Sequence, residues 1–273
     1  MPDIKAFAAD SISRGSAELI ESIATGIAAE GAGTLRKLGI VGGATWSSTA
    51  LYYDHINRAV ARRLGGLHSA RLIVESLDFE GDYARFHRSG DWEAANQVVS
   101  DAAERLKNAG AEGILLASNT MHKAAEAVVQ ATGLPLIDIR QVTAAELVAD
   151  RRTRIALLGT RFTMTEAFAR EPYEALGIVV HELTAEWRTE TDRIIYEELA
   201  AGRVVRDSQR KLKTLITELA KAKVQAVVLG CTELVLAVDV RANVLPVYDT
   251  TAIHARAAVE WMLDEEEQAR AAA

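Results

Sequence analysis

The chain has 273 residues, 49% of them hydrophobic and 25% charged, a balance that can bury two modest cores and does not fit a disordered chain. A net charge of -7 and a pI near 5.5, with no Lys/Arg stripe, argue against a nucleic-acid partner. Apolar runs no longer than "AVVLGC" fall far short of the roughly 20 residues a membrane-spanning helix needs.

Residues 1–35 carry acids early and lack an unbroken apolar core, so they read as a helical extension rather than a secretory leader, and a cytoplasmic location is expected. "KLGIVGGATWSSTALYYDHINRAVARRL" then gives a strand, a Gly turn and a helix. "ARLIVESLDF" is a second strand and "DWEAANQVVSDAAERLKNAG" an amphipathic helix. "AEGILLASNT" with its helix and "LPLIDI" complete a set of four strands. The same plan restarts at "TRIALLGTRFTMTEAFAREPYEAL". It runs on through "GIVVHEL", the helices "TETDRIIYEELAAG" and "DSQRKLKTLITELAKA", "VQAVVLGCTELV" and "VLPVYDT".

Gly42 and Gly159 lie 117 positions apart, and Ser118 and Cys231 lie 113 apart, a near-constant offset that marks a duplication. The expected fold is α/β: two similar halves with mostly parallel four-stranded sheets, whose ligand-facing edges can face each other. The expected division is an extension over 1–35, a first domain over 36–149 plus 250–265, a second over 150–249, and a charged tail over 266–273. Ligands of open parallel sheets bind beyond the carboxyl ends of the strands, which is where Gly42-Gly43, Ser118-Asn119, Gly159-Thr160 and Cys231-Thr232 fall.

The glycine turn "GIVGGATWSST" lacks the lysine of a phosphate loop and the spacing of a dinucleotide fingerprint. Backbone N–H groups at Gly43, Ala44 and Thr45 suit a carboxylate better, while Ser47, Ser48 and Thr49 also fit simple helix capping. Cys231 is the single cysteine, which excludes an internal disulfide and a cysteine metal cluster. Placed between a strand and a helix, its thiol is expected to gain thiolate character from the helix N-terminus. Thr232 and Glu233 either cap that helix or position the sulfur. Ser118, Asn119 and Thr120 occupy the mirrored position as hydroxyl and amide donors, and His87 sits in a polar connection able to reach a ligand. The six histidines show no metal-binding spacing, so no metal is expected.

The blocks "GIVGGATWSSTALYYDHIN", "RLGGLHSA", "AGAEGILLASNTMHKAAEAV", "LLGTRFTM", "IIYEEL", "GCTEL" and "VLPVYDTTAIHA" occur in order between Leu38 and Leu263. On them the chain resembles the aspartate/glutamate racemase superfamily, specifically its broad-specificity amino-acid racemase branch. The resemblance implies two pseudo-symmetric three-layer α/β/α domains with the active site in the cleft between them, a small amino-acid substrate, no cofactor, and a homodimer. It also implies a pair of cysteines flanking the substrate α-carbon, one removing a proton and the other returning one. Cys231 matches the second cysteine, on the L-enantiomer side; Ser118 stands where the first is expected, which departs from the family pattern. A hydroxyl is a far weaker acid than a thiol, so a Ser118/Cys231 pair implies a slow or L-biased racemase or epimerase. The alternatives are a one-base lyase or decarboxylase using Cys231 alone, or a binding protein with impaired catalysis. The resemblance further implies carboxylate binding by Ser118, Asn119, Thr120 and Thr160. Glu190 falls where related racemases carry a lysine for acidic side chains, which points away from aspartate and glutamate as best substrates unless Glu190 is a plain helix-face residue.

Overall fold

The first strand, β1 (Leu38–Gly42), is buried along its whole length. Its residues alternate between two cores: Leu38 and Ile40 pack on one side of the sheet and Val41 on the other. β3 (Gly113–Leu116) repeats the alternation, with Leu115 on one side and Ile114 and Leu116 on the other. Successive strand side chains point to opposite faces, so a continuous apolar run is what a sheet covered on both faces requires. The computed structural model describes residues 35–264, and the side chain of His87 is outside the described residues. The expected helical extension and charged tail also lie outside them.

β1 pairs in parallel with β2 (Leu72–Ser76) and β3, and β3 with β4 (Leu136–Ile137), giving the order β2-β1-β3-β4. The second half gives β6-β5-β7-β8 from β5 (Arg154–Gly159), β6 (Val179–Val180), β7 (Ala226–Gly230) and β8 (Val247–Asp249), again parallel in every pair. The fold is therefore α/β with two four-stranded parallel sheets of identical strand order, and Leu157↔Val228 in one sheet answers Ile40↔Leu115 in the other.

Helix α1 (Trp46–Leu64) starts where the Thr45 side chain accepts from the Ser48 N–H, and buries Tyr52, Ile56 and Val60 at four-residue spacing. Helix α2 (Trp92–Asn108), capped by Asp91, covers the opposite face with Ala95, Val99, Ala102, Ala103 and Leu106. Helix α3 (Ile139–Ala149), expected in the first domain, lays Ala144 and Leu147 into the core of the second sheet, beside Ile155, Leu157 and Val228. Helix α4 (Arg206–Lys221) covers that sheet's other face through Leu212, Leu215, Ile216 and Leu219. Helix α5 (Thr250–Leu263) returns to the first sheet and packs Ala255, Ala258, Val259 and Met262 against Leu38, Ile40 and Ile56. Each sheet is thus closed by a helix that follows the other sheet's neighbouring strand, and residues Leu35–Asp264 form one compact unit. Burying an apolar strand face is worth about 25 cal/mol per Å², so exchanging these covers ties the two halves together.

Candidate active site

Four connections meet at the carboxyl ends of the central strands. Gly43 follows β1 with φ of 90°, and a Cβ there would sit 2.0 Å from the Leu77 carbonyl oxygen, so only glycine fits. Its N–H donates to Thr49 Oγ1 at 2.9 Å. Gly43 is therefore a packing residue rather than an anion donor, which corrects the sequence expectation for it. Ala44, Thr45 and Ser48 do reach the cleft wall, together with Ser118, Asn119, Thr120, Thr160, Cys231, Thr232 and Glu233. Both halves contribute to one cavity of about 80 Å³, and Ser118 and Cys231 both face it.

The chain after each of these two residues forms a short 3-10 turn, Thr120–Ala124 after Ser118 and Thr232–Leu236 after Cys231. The α-helix expected behind Cys231 is absent, and a turn of five residues supplies little aligned dipole. The neighbours of the thiol decide its state instead. Glu233 is buried, and its Oε1 accepts from Thr45 Oγ1 at 2.7 Å and Ser48 Oγ at 2.9 Å. Its Oε2 accepts from Thr232 Oγ1 at 2.8 Å and from Cys231 Sγ at 3.0 Å. Burial pushes this carboxyl up, but the donors Cys231, Thr45, Thr232 and Ser48 outweigh it and hold the group below the usual carboxylate range. Burial, the Glu233 charge and the S–H···Oε2 bond push the Cys231 thiol well up, and the Glu233 backbone N–H offsets this only in part. The resting state is a neutral thiol donating to a carboxylate, the reverse of the thiolate expected from the sequence.

The Ser118 side is built differently. Its carbonyl accepts from Nδ1 of the buried His122 at 2.8 Å, while His122 Nε2 accepts from the Ile139 N–H at 3.2 Å. Burial, partly offset by Asp138, pushes His122 down to about 4, so the ring is neutral. His254 packs against it, donates from Nε2 to the Ile137 carbonyl at 2.6 Å and accepts from Tyr52 Oη at 2.9 Å. Asn119 Nδ2 donates to Thr250 Oγ1 at 3.2 Å, and Thr120 Oγ1 lies 3.4 Å from Thr160 Oγ1, so both residues link the halves. Lys123 strengthens that seam: it pairs with Glu166 and sits 3.6 Å from the centre of the Trp92 ring.

Glu190 is not at the cleft wall. Its carboxylate is bound by Arg193 and Lys211, which hold it down to about 2, so its expected contact with a substrate side chain is corrected. His87 belongs to the helix Ala84–Ser89, and its side chain is outside the described residues. The wall residues that sequence reasoning missed include Phe79, Tyr83, Met121, Ile195, Tyr196 and Ala200. Four of them lie in widened π turns, Phe79–Tyr83 and Ile194–Leu199, a local geometry frequent at functional sites. Nothing in the apolar periodicity distinguishes such turns from ordinary helix.

The family model for Asp/Glu/hydantoin racemases matches residues 41–258, which span every connection described above. The chain belongs to the Asp/Glu/hydantoin racemase family. It is accordingly an isomerase of the racemase type. A candidate Asp/Glu racemase from Yersinia pestis is 42% identical, with a TM-score of 0.79 over 84% of this chain and 100% of that one. An aspartate racemase homologue from Pyrococcus horikoshii is 32% identical, with a TM-score of 0.72 over 84% of this chain and 99% of that one. The broad specificity amino-acid racemase RacX of Bacillus subtilis is 24% identical over 174 residues, 63% of this chain and 74% of that protein. Among the described residues no helix is long and apolar enough to cross a membrane, and no group of three or more His, Cys, Asp or Glu side chains is placed to hold a metal ion.

Proposed function

We propose that the protein exchanges the α-proton of an amino acid without a cofactor, through Cys231 on one face of the α-carbon and Ser118 on the other. The observation that carries this reading is that the two side chains, at equivalent ends of β3 and β7, line one cavity. The α-carboxylate is held by backbone N–H groups and hydroxyls at Asn119, Thr120, Thr160 and Thr232, where fixed donors stabilise the charge that develops as the carbon loses its proton. From an L-substrate, Sγ takes the α-proton while the thiol's own proton passes to Glu233 Oε2, 3.0 Å away in the resting site. The electron pair stays on carbon. The Ser118 hydroxyl then donates a proton to the opposite face, and solvent returns a proton to the Ser118 oxygen and takes the one held on Glu233, which resets the site.

The two enantiomers have equal free energy, so a weak base at Ser118 slows both directions equally. The protein in D2O with an L-amino acid tests this: loss of the α-hydrogen by NMR together with the appearance of the D-enantiomer supports the pair. Exchange without inversion indicates chemistry at Cys231 alone, which the asymmetric placement of Glu233 favours as a second reading. Absence of exchange from every amino acid tried overturns both. Ser118→Cys is expected to raise the racemisation rate by roughly tenfold or more, and an unchanged rate in a folded variant counts against the facing pair.

A further inference from the structure

We infer that the amino acid handled in this cleft carries an uncharged side chain of modest size, selected by a wall of Phe79, Tyr83, Ile195 and Tyr196. The inference rests on the proton-transfer reading above and supplies its substrate class. These four residues come from the two π turns and meet in the same cavity as Ser118 and Cys231. Among the described residues that line it there is no Lys, Arg or His, and the single charged one is Glu233.

Of the cations next in sequence to the wall, two are ion-paired elsewhere and the third, Arg161, stacks on its own neighbour and is not among the lining residues. Lys123 pairs with Glu166 against Trp92, Arg193 with Glu190 and Glu198, and the Arg161 guanidinium stacks 4.6 Å from the centre of the Phe162 ring. An aspartate or glutamate substrate therefore brings a second carboxylate to an apolar wall beside a buried negative charge. Burial first and then the charge of Asp192 push Tyr196 up, with Arg161 opposing, and the same charge adds a little to burial and Glu233 in pushing the Cys231 thiol up. A cationic side chain fares little better, because both Glu233 oxygens already accept two donors each. Size points the same way: one water needs roughly 10–15 Å³ of such space, and the cavity of about 80 Å³ has room for a small amino acid.

The experiment compares pairs of equal shape and different charge. α-Hydrogen exchange in D2O is measured for L-asparagine against L-aspartate and for L-glutamine against L-glutamate, with L-alanine, L-2-aminobutyrate and L-lysine alongside. The amides are expected to exchange faster than the acids by roughly tenfold or more, with the two small apolar amino acids at or above the amides. Acids or lysine exchanging as fast as the neutral compounds overturn the inference and leave the proton-transfer reading standing. If no compound exchanges, that reading fails, and calorimetric titration of the Cys231→Ala variant with the same pairs decides the inference. Tighter binding of the amides supports it; tighter binding of the acids, or no binding of the neutral compounds, overturns it. Ala200→Lys, which sets a cation at the wall, is expected to move the glutamate-to-glutamine ratio toward glutamate by roughly tenfold. An unchanged ratio counts against the wall as the selecting surface.

Discussion

Behind Ser118 stands His122, a neutral ring that holds the backbone carbonyl of the residue; behind Cys231 stands Glu233, an ionised group that holds the sulfur itself. The two turns share a strand end, a 3-10 conformation and a place on one cleft. They differ in what a proton can do there. At Cys231 a hydrogen-bonded acceptor is ready to take the thiol proton, whereas among the described residues no carboxylate bonds to the Ser118 hydroxyl. A duplicated frame thus supplies position twice, and the side chains packed behind it give one strand end a carboxylate acceptor for its thiol and the other a buried neutral imidazole on its backbone carbonyl.

Removing each reactive atom in turn probes this difference most strongly. Cys231→Ala is expected to reduce α-hydrogen exchange by roughly 10²–10⁴-fold, while Ser118→Ala keeps exchange from the L-enantiomer within about tenfold and loses inversion. NMR wash-in of deuterium and chiral chromatography on both variants check this. Equal losses of exchange in the two would abolish the proposed division of roles.

Glu233→Gln sharpens the contrast through pH. In the parent protein the carboxyl lies below the usual range and the thiol well above its own. Exchange should therefore vary little between about pH 5 and 8, and rise in alkaline solution as thiolate forms. The neutral amide removes the charge that raises the thiol, so the variant is expected to be roughly tenfold or more slower at neutral pH, with its alkaline rise displaced to lower pH. A rate profile shifted the opposite way would exclude Glu233 as the partner of the sulfur.

The effect furthest from the chemistry concerns stability on the Ser118 side. Burial pushes His122 down to about 4 and His254 to about 3. Both values lie below the unfolded histidine value of about 6.5, so the unfolded chain takes up protons first as the pH falls. Stability is fully present above about pH 6.5 and declines toward pH 4, by on the order of 3 kcal/mol for His122 alone. Thermal melts at pH 7 and pH 4.5 should show the lower Tm at pH 4.5, and NMR titration should find the His122 ring neutral above pH 5. Protonation of that ring near pH 6.5 in the folded state would remove it from the buried network.

Much of the fold was legible because apolar strands and amphipathic helices repeat locally. "GILLASNT" and "VVLGCTEL" announce a buried strand followed by a polar tip, and the repeated order of elements announces two parallel sheets. Ser118, Asn119, Thr120, Thr160, Cys231, Thr232 and Glu233 were legible as strand-end residues for the same reason. Glu190 was misplaced because a helix position tells which face a residue occupies, not which cation captures it, and Arg193 and Lys211 capture this one.

The amino-acid sequence by itself determined the strands, their repeated order and the placement of Ser118 and Cys231 at strand ends, since these follow from periodicity and from residue types written at single positions. Only the tertiary structure decided that α3 closes the sheet of the other half, that Phe79 and Tyr196 share a wall, and that the lone thiol rests as a neutral donor. Burial and charge proximity depend on residues distant in the chain: Thr45 and Ser48 reach Glu233 across 188 and 185 positions. The acidity of Cys231 is set by that assembled surrounding, which no local pattern encodes.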